Sequence, residues 1–310
     1  MKKLFFAMLA MAAFVSCSKE NTSLGVEDQV EVTFNVAPNQ LQTRADGYVY
    51  GDGFHAHDLE WAIFLDGNYS KPIFKGEIKG AFAGENQTTQ FSQSLAIGKQ
   101  YVIVFWADAE KDPYTIDWDT QIVTLATNGL KAQDENLDAF YICDTFTVMA
   151  DTRSKEYSLK RVLAQLNIAT ADLDYAASVG FDVTHTSVEV SNVGTQMNLL
   201  TGKVVPQSRK TVSFSAASIP SGNNATVTIN GMTYDMLSMN YLLVDDEQTS
   251  SVSLKKYDTN VNTPISNSVF NNIHLKRNHR TYIIGQSLLT NDVNFTVTIV
   301  DGFDGNPYIE

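Results

Sequence analysis

Residues 101–107 read Tyr-Val-Ile-Val-Phe-Trp-Ala, a run in which every side chain is apolar. Successive side chains of a β-strand point to opposite faces of the sheet. A wholly apolar run of this length therefore predicts a strand that is buried on both faces. Such a strand belongs inside a sandwich, and the strongest strand of the first half predicts that architecture.

The rest of the chain follows the same pattern of short strands. Val30 to Val36 alternates apolar and polar residues, which predicts a half-buried strand. Asp66-Gly67-Asn68 lies between apolar runs and predicts a hairpin. The best helix candidate, Ala171 to Val179, is short and ends at Gly180. Many short strands with few helices predict an all-β protein with two Ig-like β-sandwich domains in tandem.

Length and composition place the domain limits. The chain has 310 residues, which is long for one domain and comfortable for two. Arg153-Ser154-Lys155 is the expected junction. We predict a signal peptide, a lipidated leader, an N-terminal sandwich and a C-terminal sandwich at residues 1–16, 17–29, 30–155 and 156–310.

The N-terminus has the layout of an export signal. Lys2 and Lys3 precede an uncharged apolar run, and Ser16 and Cys17 follow it. The run is too short to span a bilayer as a helix of the mature protein. Its end looks like a bacterial lipoprotein box, which predicts that Cys17 becomes the lipidated first residue. The alternative is an ordinary signal peptide in which the position of the cysteine is coincidental.

Charge and motifs argue against several classes of function. The formal net charge is −13, and an acidic surface argues against nucleic acid as a partner. The sequence contains no nucleophile elbow and no phosphate-binding glycine loop. Cys143 stands beside Asp144, whose carboxylate would raise the thiol pKa, so we interpret it as a core or edge residue. We predict no catalytic residues, no enzymatic activity and no cofactor.

One short segment has metal-ligand character. His55 and His57 are two positions apart, which places both imidazoles on one side of a strand, and Asp58 follows. No further Cys or His nearby in the sequence completes a ligand set. We therefore predict ordinary exposed loop residues and no metal site.

Several sequence blocks follow one another along nearly the whole chain. Besides the lipoprotein box, they are Tyr101 to Asp108, Asp138 to Tyr141, Arg161 to Asn167, Asn198 to Gly202, Leu275 to Gly285 and Leu288 to Thr290. Together, and in this order, the blocks resemble those of the fimbrillin-like lipoproteins of Bacteroidia. The resemblance implies two transthyretin-like β-sandwich domains and a role as a pilus subunit, anchor or tip adhesin.

The resemblance also implies proteolytic processing. Gln42-Thr43-Arg44-Ala45 looks like the arginine site at which such precursors are trimmed, with cleavage between Arg44 and Ala45. Cleavage there would separate the strand Val30 to Val36 from the rest of the chain. The vacated groove would then accept a strand from another pilus subunit or another copy of this chain. The alternative is that Arg44 is an exposed loop arginine and the lipid stays attached.

The resulting functional hypothesis is a fimbrial lipoprotein of the cell surface, attached to the outer membrane by its lipid. A second hypothesis is a surface lipoprotein that binds a glycan or another nutrient and never polymerises. A third hypothesis, that the protein is an enzyme, is the least favoured of the three.

Overall fold

The computed structural model describes residues 28–38, 50–82, 88–109, 113–286, 288, 294–300 and 303. The strands of the first half are β1 Gln29–Pro38, β2 Asp58–Leu65, β3 Phe74–Ile78, β4 Thr89–Ala96, β5 Gln100–Asp108, β6 Tyr114–Asp117, β7 Ile122–Leu125, β8 Phe140–Thr147 and β9 Ser154–Arg161. Those of the second half are β10 Leu163–Thr170, β11 His185–Val193, β12 Gln196–Asn198, β13 Lys203–Val204, β14 Lys210–Ser218, β15 Thr226–Ile229, β16 Met232–Leu243, β17 Glu247–Tyr257, β18 Ser266–Lys276, β19 Arg280–Gln286 and β20 Asn294–Val300.

Helical structure is sparse among the described residues. The α-helix α1 spans Leu173–Ser178, inside the predicted helix and followed by Gly180 at a positive φ. Glu135–Leu137, Pro206–Ser208 and Gly222–Asn224 form 3-10 turns. The all-β prediction is confirmed. Within this part of the chain, no helix has the length and apolar composition needed to cross a membrane.

The first sandwich is one sheet that closes over itself. Its strand order is β3-β2-β5-β8-β9-β1-β4. Side chains from both ends of that order meet in one core, where Phe34 of β1 joins Ile63 of β2 and Phe105 of β5. The two ends therefore face each other as the layers of a sandwich.

The second sandwich is built from two separate sheets. One has the strand order β15-β16-β10-β19-β20, and the other β14-β11-β17-β18. Leu166 of β10 and Leu254 of β17 belong to the core between them. Phe270 of β18 meets Phe295 of β20 edge to face, with ring centroids 5.1 Å apart. The tandem sandwiches predicted from the strand pattern are confirmed.

A small four-stranded sheet joins the two halves. Its order is β13-β12-β7-β6, so two strands come from each half of the chain. Met197 of β12 pairs with Val123 of β7, and both side chains are fully buried. The predicted boundary between residues 155 and 156 falls within β9 and stays a prediction.

Strand β5 shows why residues 101–107 are apolar on both faces. Ile103 and Phe105 point into the core of the first sandwich. Val104 and Trp106 belong to a second core that also contains Leu166 and Met197 of the C-terminal half. Burial on both faces is confirmed, and the outer face of β5 is buried because the second half of the chain packs against it.

Candidate functional site

The first strand occupies an internal position in its sheet. β1 runs antiparallel to β4, in register from Gln29 opposite Ala96 to Val36 opposite Thr89. On its other side it runs parallel to β9. Because β1 lies between β4 and β9, its removal would leave both strands with an unpaired edge.

The apolar face of β1 is fully buried. Val32, Phe34 and Val36 are each at most 1% exposed, as the alternating sequence requires. The Phe34 ring is surrounded by aromatic rings, with centroid distances of 5.1 Å to Phe91 and 5.7 Å to Phe146. Phe34 is therefore the central anchor of β1 in the core.

The opposite face of β1 makes lighter, more exposed contacts. The Thr33 hydroxyl lies 3.0 Å from that of Ser92 on β4. Asn35 donates a side-chain hydrogen bond of 2.6 Å to Glu156 on β9. The buried face provides most of the stability of β1, because exposed hydrogen bonds contribute little net free energy.

The predicted processing site lies between two described parts of the chain. β1 ends at Pro38, and the description resumes at Tyr50. Arg44 and Ala45 fall in this interval, outside the described residues, and so does Cys17. Cleavage and lipidation therefore stay predictions.

A buried ion pair lies where the two halves meet. Arg161, at the end of β9, donates from Nε and Nη2 to the two oxygens of Asp138, each at 2.6 Å, and both side chains are fully buried. Burial by itself would lower the pKa of Arg161, but the attraction of Asp138 outweighs it and the net shift is upward. A bidentate buried pair of this kind fixes the relative position of its two elements.

The ion pair also holds the segment that follows the predicted processing site. Arg161 Nη2 donates to the carbonyl oxygen of Gly51 at 3.0 Å. The Phe303 ring lies between two guanidinium groups, with its centroid 3.6 Å from Cζ of Arg161 and 4.1 Å from Cζ of Arg280. Gly51 needs its small size here, because a Cβ at that position would lie 2.6 Å from Phe303.

Other contacts between distant blocks accompany this pair. Tyr141 donates to the carbonyl oxygen of Leu199 at 2.5 Å, and Arg277 donates to that of Gly202 at 2.6 Å. Three of the blocks that carried the family resemblance, those that contain Tyr141, Leu199 and Arg277, are therefore linked to one another by hydrogen bonds.

Glu135 is a buried carboxyl group beside this junction. Its two oxygens accept hydrogen bonds from the Gly51 amide, at 3.1 and 3.2 Å, and from the Tyr241 hydroxyl, both at 3.1 Å. Burial, reinforced by the negative charges of Asp138 and Asp52, raises the pKa of Glu135 to about 8. The carboxyl group is thus oriented by two donors in a poorly solvated position.

The histidine segment is divided by the fold. His55 lies with Asp52 and Glu135, and a potential ligand atom of each is within 4.8 Å of the others. Burial lowers the pKa of His55. The two other members of the sequence cluster have different surroundings: the His57 amide donates to the carbonyl of Asp108, and Asp58 pairs with Lys79 at 2.8 Å.

Cys143 lies on β8 and is half-buried. Burial, with a smaller contribution from the negative charge of Asp144, raises the pKa of its thiol to about 11. This agrees with the interpretation of an inert core or edge residue.

Sequence reasoning missed the pairing of Arg161 with Asp138 and the approach of Glu135 to His55. For the ion pair a signal exists, because both charged residues stand in apolar surroundings, as in Arg161-Val-Leu-Ala. Charged residues are rarely fully buried unless they are paired. For Glu135 no such signal exists, because it lies 80 residues from His55 in a polar stretch.

Comparison with known proteins finds solved structures with a similar fold. No curated protein matches the chain. A protein from Bacteroides thetaiotaomicron proposed to bind polysaccharide has 13% identity and a TM-score of 0.52, covering 87% of this chain and 98% of its own. A proposed adhesin from the same organism has 10% identity and a TM-score of 0.51, covering 90% and 98%. The fimbrial anchor protein of Porphyromonas gingivalis has 10% identity and a TM-score of 0.45, covering 88% and 98%.

The first two likenesses confirm the fold that the resemblance to fimbrillin-like proteins implies. A family model, DUF6562, matches residues 21–309, which is nearly the whole chain. The protein therefore belongs to the DUF6562 family, a family of unknown function.

Proposed function

We propose that this chain is a non-enzymatic, exported lipoprotein that acts at the cell surface as a fimbrial component, either subunit, anchor or tip adhesin. In this proposal Cys17 carries the lipid that holds the uncut precursor in the outer membrane. Cleavage between Arg44 and Ala45 then separates the lipid and β1 from the body, and a strand from another subunit takes the place of β1. The observation that carries the proposal is the position of β1 between β4 and β9.

The energetics of β1 favour exchange over simple loss. Val32, Phe34 and Val36 are fully buried, and burying each contributes about 1.5–3 kcal/mol. Their sum is comparable to the whole stability of a domain, about 5–15 kcal/mol. A trimmed protein with the groove empty is therefore poorly stable as a monomer, and a donor strand that restores the buried face lowers its free energy.

The chain connection of β1 fits this role. β1 is the first described strand, and the predicted cut falls before β2. One cleavage would leave β1 attached to the body by non-covalent contacts alone. The body would keep the buried ion pair of Arg161 and Asp138, because neither residue lies upstream of the cut. The body would also keep the residues of the first core that lie downstream of the cut, among them Ile63 and Phe105.

The test compares full-length wild type with Arg44→Ala after treatment with an arginine-specific protease. Arg153→Ala is a matched control, because Arg153 is an exposed arginine outside the predicted processing site and immediately precedes β9. We expect oligomer ladders from cleaved wild type and from cleaved Arg153→Ala, and a monomer from Arg44→Ala. A cleaved wild type that stays monomeric with an unchanged melting temperature would exclude strand exchange.

A peptide experiment tests the groove itself. A synthetic peptide of residues 29–38 should bind the cleaved protein, raise its melting temperature and suppress oligomers. The same peptide with Phe34→Ala should bind much more weakly, because the aromatic pocket formed with Phe91 and Phe146 stays unfilled. Equal binding of the two peptides would show that the groove does not select its strand through this pocket.

The anchor is tested separately. Cys17→Ser should abolish lipid labelling and move the protein from the membrane fraction to the soluble fraction, because the lipid is the proposed attachment. Membrane attachment that persists in Cys17→Ser would contradict the lipoprotein assignment and leave the strand-exchange proposal intact.

A second candidate is a surface lipoprotein that binds a glycan and does not polymerise. The similarity of fold to a Bacteroides protein proposed to bind polysaccharide favours it. Saturable glycan binding by the full-length protein, together with a monomeric cleaved form, would select this alternative.

A further inference from the structure

Three side chains with metal-ligand chemistry come from two separate parts of the chain. Asp52 and His55 belong to the segment before β2, and Glu135 begins the 3-10 turn before β8. A potential ligand atom of each lies within 4.8 Å of the others. Zinc bonds to imidazole nitrogen and carboxylate oxygen measure about 2.0–2.2 Å, so two ligand atoms on one ion lie at most about 4.4 Å apart, and the observed upper limit of 4.8 Å is close to that value.

We propose that Asp52, His55 and Glu135 form a binding site for one divalent transition-metal cation of the zinc class. The set joins one imidazole nitrogen to carboxylate oxygens, a combination that suits such metals. Calcium fits poorly, because it takes six to eight oxygen ligands. The tests therefore use Zn²⁺ as the probe and Ca²⁺ as the comparison.

The surroundings support the carboxylates as ligands. Glu135 is 3% exposed, and its oxygens are oriented by the Gly51 amide and the Tyr241 hydroxyl. Asp52 accepts a hydrogen bond of 2.9 Å from the amide of Phe54. Supporting hydrogen bonds of this kind hold metal-binding carboxylates in position.

The charges around the site also favour a cation. The carboxylates of Asp52 and Glu135 converge, and Asp138 lies nearby. The buried guanidinium of Arg161 directs two donors at Asp138 rather than at the proposed ligands. A divalent cation among the three ligands would favour the ionised form of the Glu135 carboxyl group, in a position where solvent screens charges weakly.

The site would link the segment after the predicted processing site to the body of the protein. Asp52 and His55 follow Ala45 within ten residues, whereas Glu135 packs against the second half through Tyr241. A bound cation would therefore add a cross-link beside the junction. The proposal does not depend on cleavage, lipidation or strand exchange.

The experiment is a calorimetric titration of Zn²⁺ into full-length protein that has been stripped with a chelator. We expect one equivalent to bind and the melting temperature to rise. His55→Ala should weaken binding at least about 10-fold, the lower end of what loss of even a supporting partner costs. Glu135→Gln should weaken Zn²⁺ binding by the same factor. If Glu135→Gln fails to fold, Asp52→Asn is used in its place.

His57→Ala is the matched control, because His57 is two residues from His55 and outside the proposed ligand set. Its affinity for Zn²⁺ should equal that of wild type. The proposal is overturned if wild type shows no saturable binding, if His57→Ala loses binding while His55→Ala keeps it, or if Ca²⁺ binds more tightly than Zn²⁺.

Discussion

Strands β1 and β10 occupy the same kind of position in the two sandwiches. Each lies between an antiparallel and a parallel neighbour: β4 and β9 for β1, and β16 and β19 for β10. Their burial differs. β10 is buried at all eight positions, whereas β1 alternates between buried and partly exposed residues.

Their connections along the chain differ as well. β10 follows β9 almost directly, through Val162, so it is tied to both sandwiches. β1 is linked to the body only through residues 39–57, where the predicted cut lies. β1 and β10 therefore share an internal position in a sheet and differ in two respects: β10 buries both faces and is covalently connected to the body on both sides, whereas β1 buries one face and is connected to the body on one side.

The largest expected effect is that of Phe34→Ala in β1, set against Ile168→Ala in β10. Both side chains are fully buried. In the uncut protein we expect losses of about 3–5 kcal/mol for Phe34→Ala and about 2–5 kcal/mol for Ile168→Ala, measured by denaturant unfolding. After cleavage and removal of β1, only the Ile168→Ala penalty should remain. A Phe34→Ala penalty that survives removal of β1 would break the comparison.

The junction between the two regions gives the next effect. Asp138→Asn should lower the free energy of unfolding by about 3 kcal/mol, because it leaves the charge of Arg161 buried without its counter-charge. Asp246→Asn is the control, since Asp246 pairs with Lys203 on the exposed surface, where a pair contributes about 0–1 kcal/mol. Equal losses in the two variants would show that the buried pair adds no more than a surface pair.

The stability of the second sandwich should depend on pH through Lys256. This residue lies on β17 opposite Thr186 of β11, and its side chain is fully buried. Burial lowers its pKa from 10.5 to about 8, and Asp172 opposes the shift. Between these values the unfolded chain binds more protons than the folded one, so stability rises with pH from about 8 to 10.5. The slope is at most about 1.4 kcal/mol per pH unit.

Lys256→Met should remove this rise in a series of unfolding curves. The control Lys255→Met should keep it, because Lys255 is partly exposed and pairs with Glu189, which raises its pKa. An unchanged pH dependence in Lys256→Met would assign the rise to other groups.

The smallest effect concerns the exposed face of β1. Asn35→Ala removes the hydrogen bond to Glu156 and should cost about 0.5–1.5 kcal/mol in the uncut protein. Asn271→Ala on β18 is matched, since Asn271 accepts a similarly exposed hydrogen bond from Ser251. A cost for Asn35→Ala as large as that for Phe34→Ala would mean that contacts of the exposed face, and not the buried face, hold β1.

The sequence by itself determined the class of fold and the character of single strands. Alternation in Val30 to Val36 is sufficient to predict which face of β1 is buried, because side-chain direction has a period of two along a strand. The apolar run in residues 101–107 is sufficient to predict burial on both faces for the same reason. These properties are local, and neighbouring residues in the chain decide them.

Only the tertiary structure decided which distant residues meet. It places Asp138 against Arg161 and His55 beside Glu135, and it buries the outer face of β5 with the second half of the chain. It also places β1 between β4 and β9 instead of at an edge. Such pairings depend on how whole sheets stack and connect. The sequence pattern around a polar residue does not predict which distant residue it contacts. The local pattern specifies which face a strand buries, and packing of the complete chain specifies what that face is buried against.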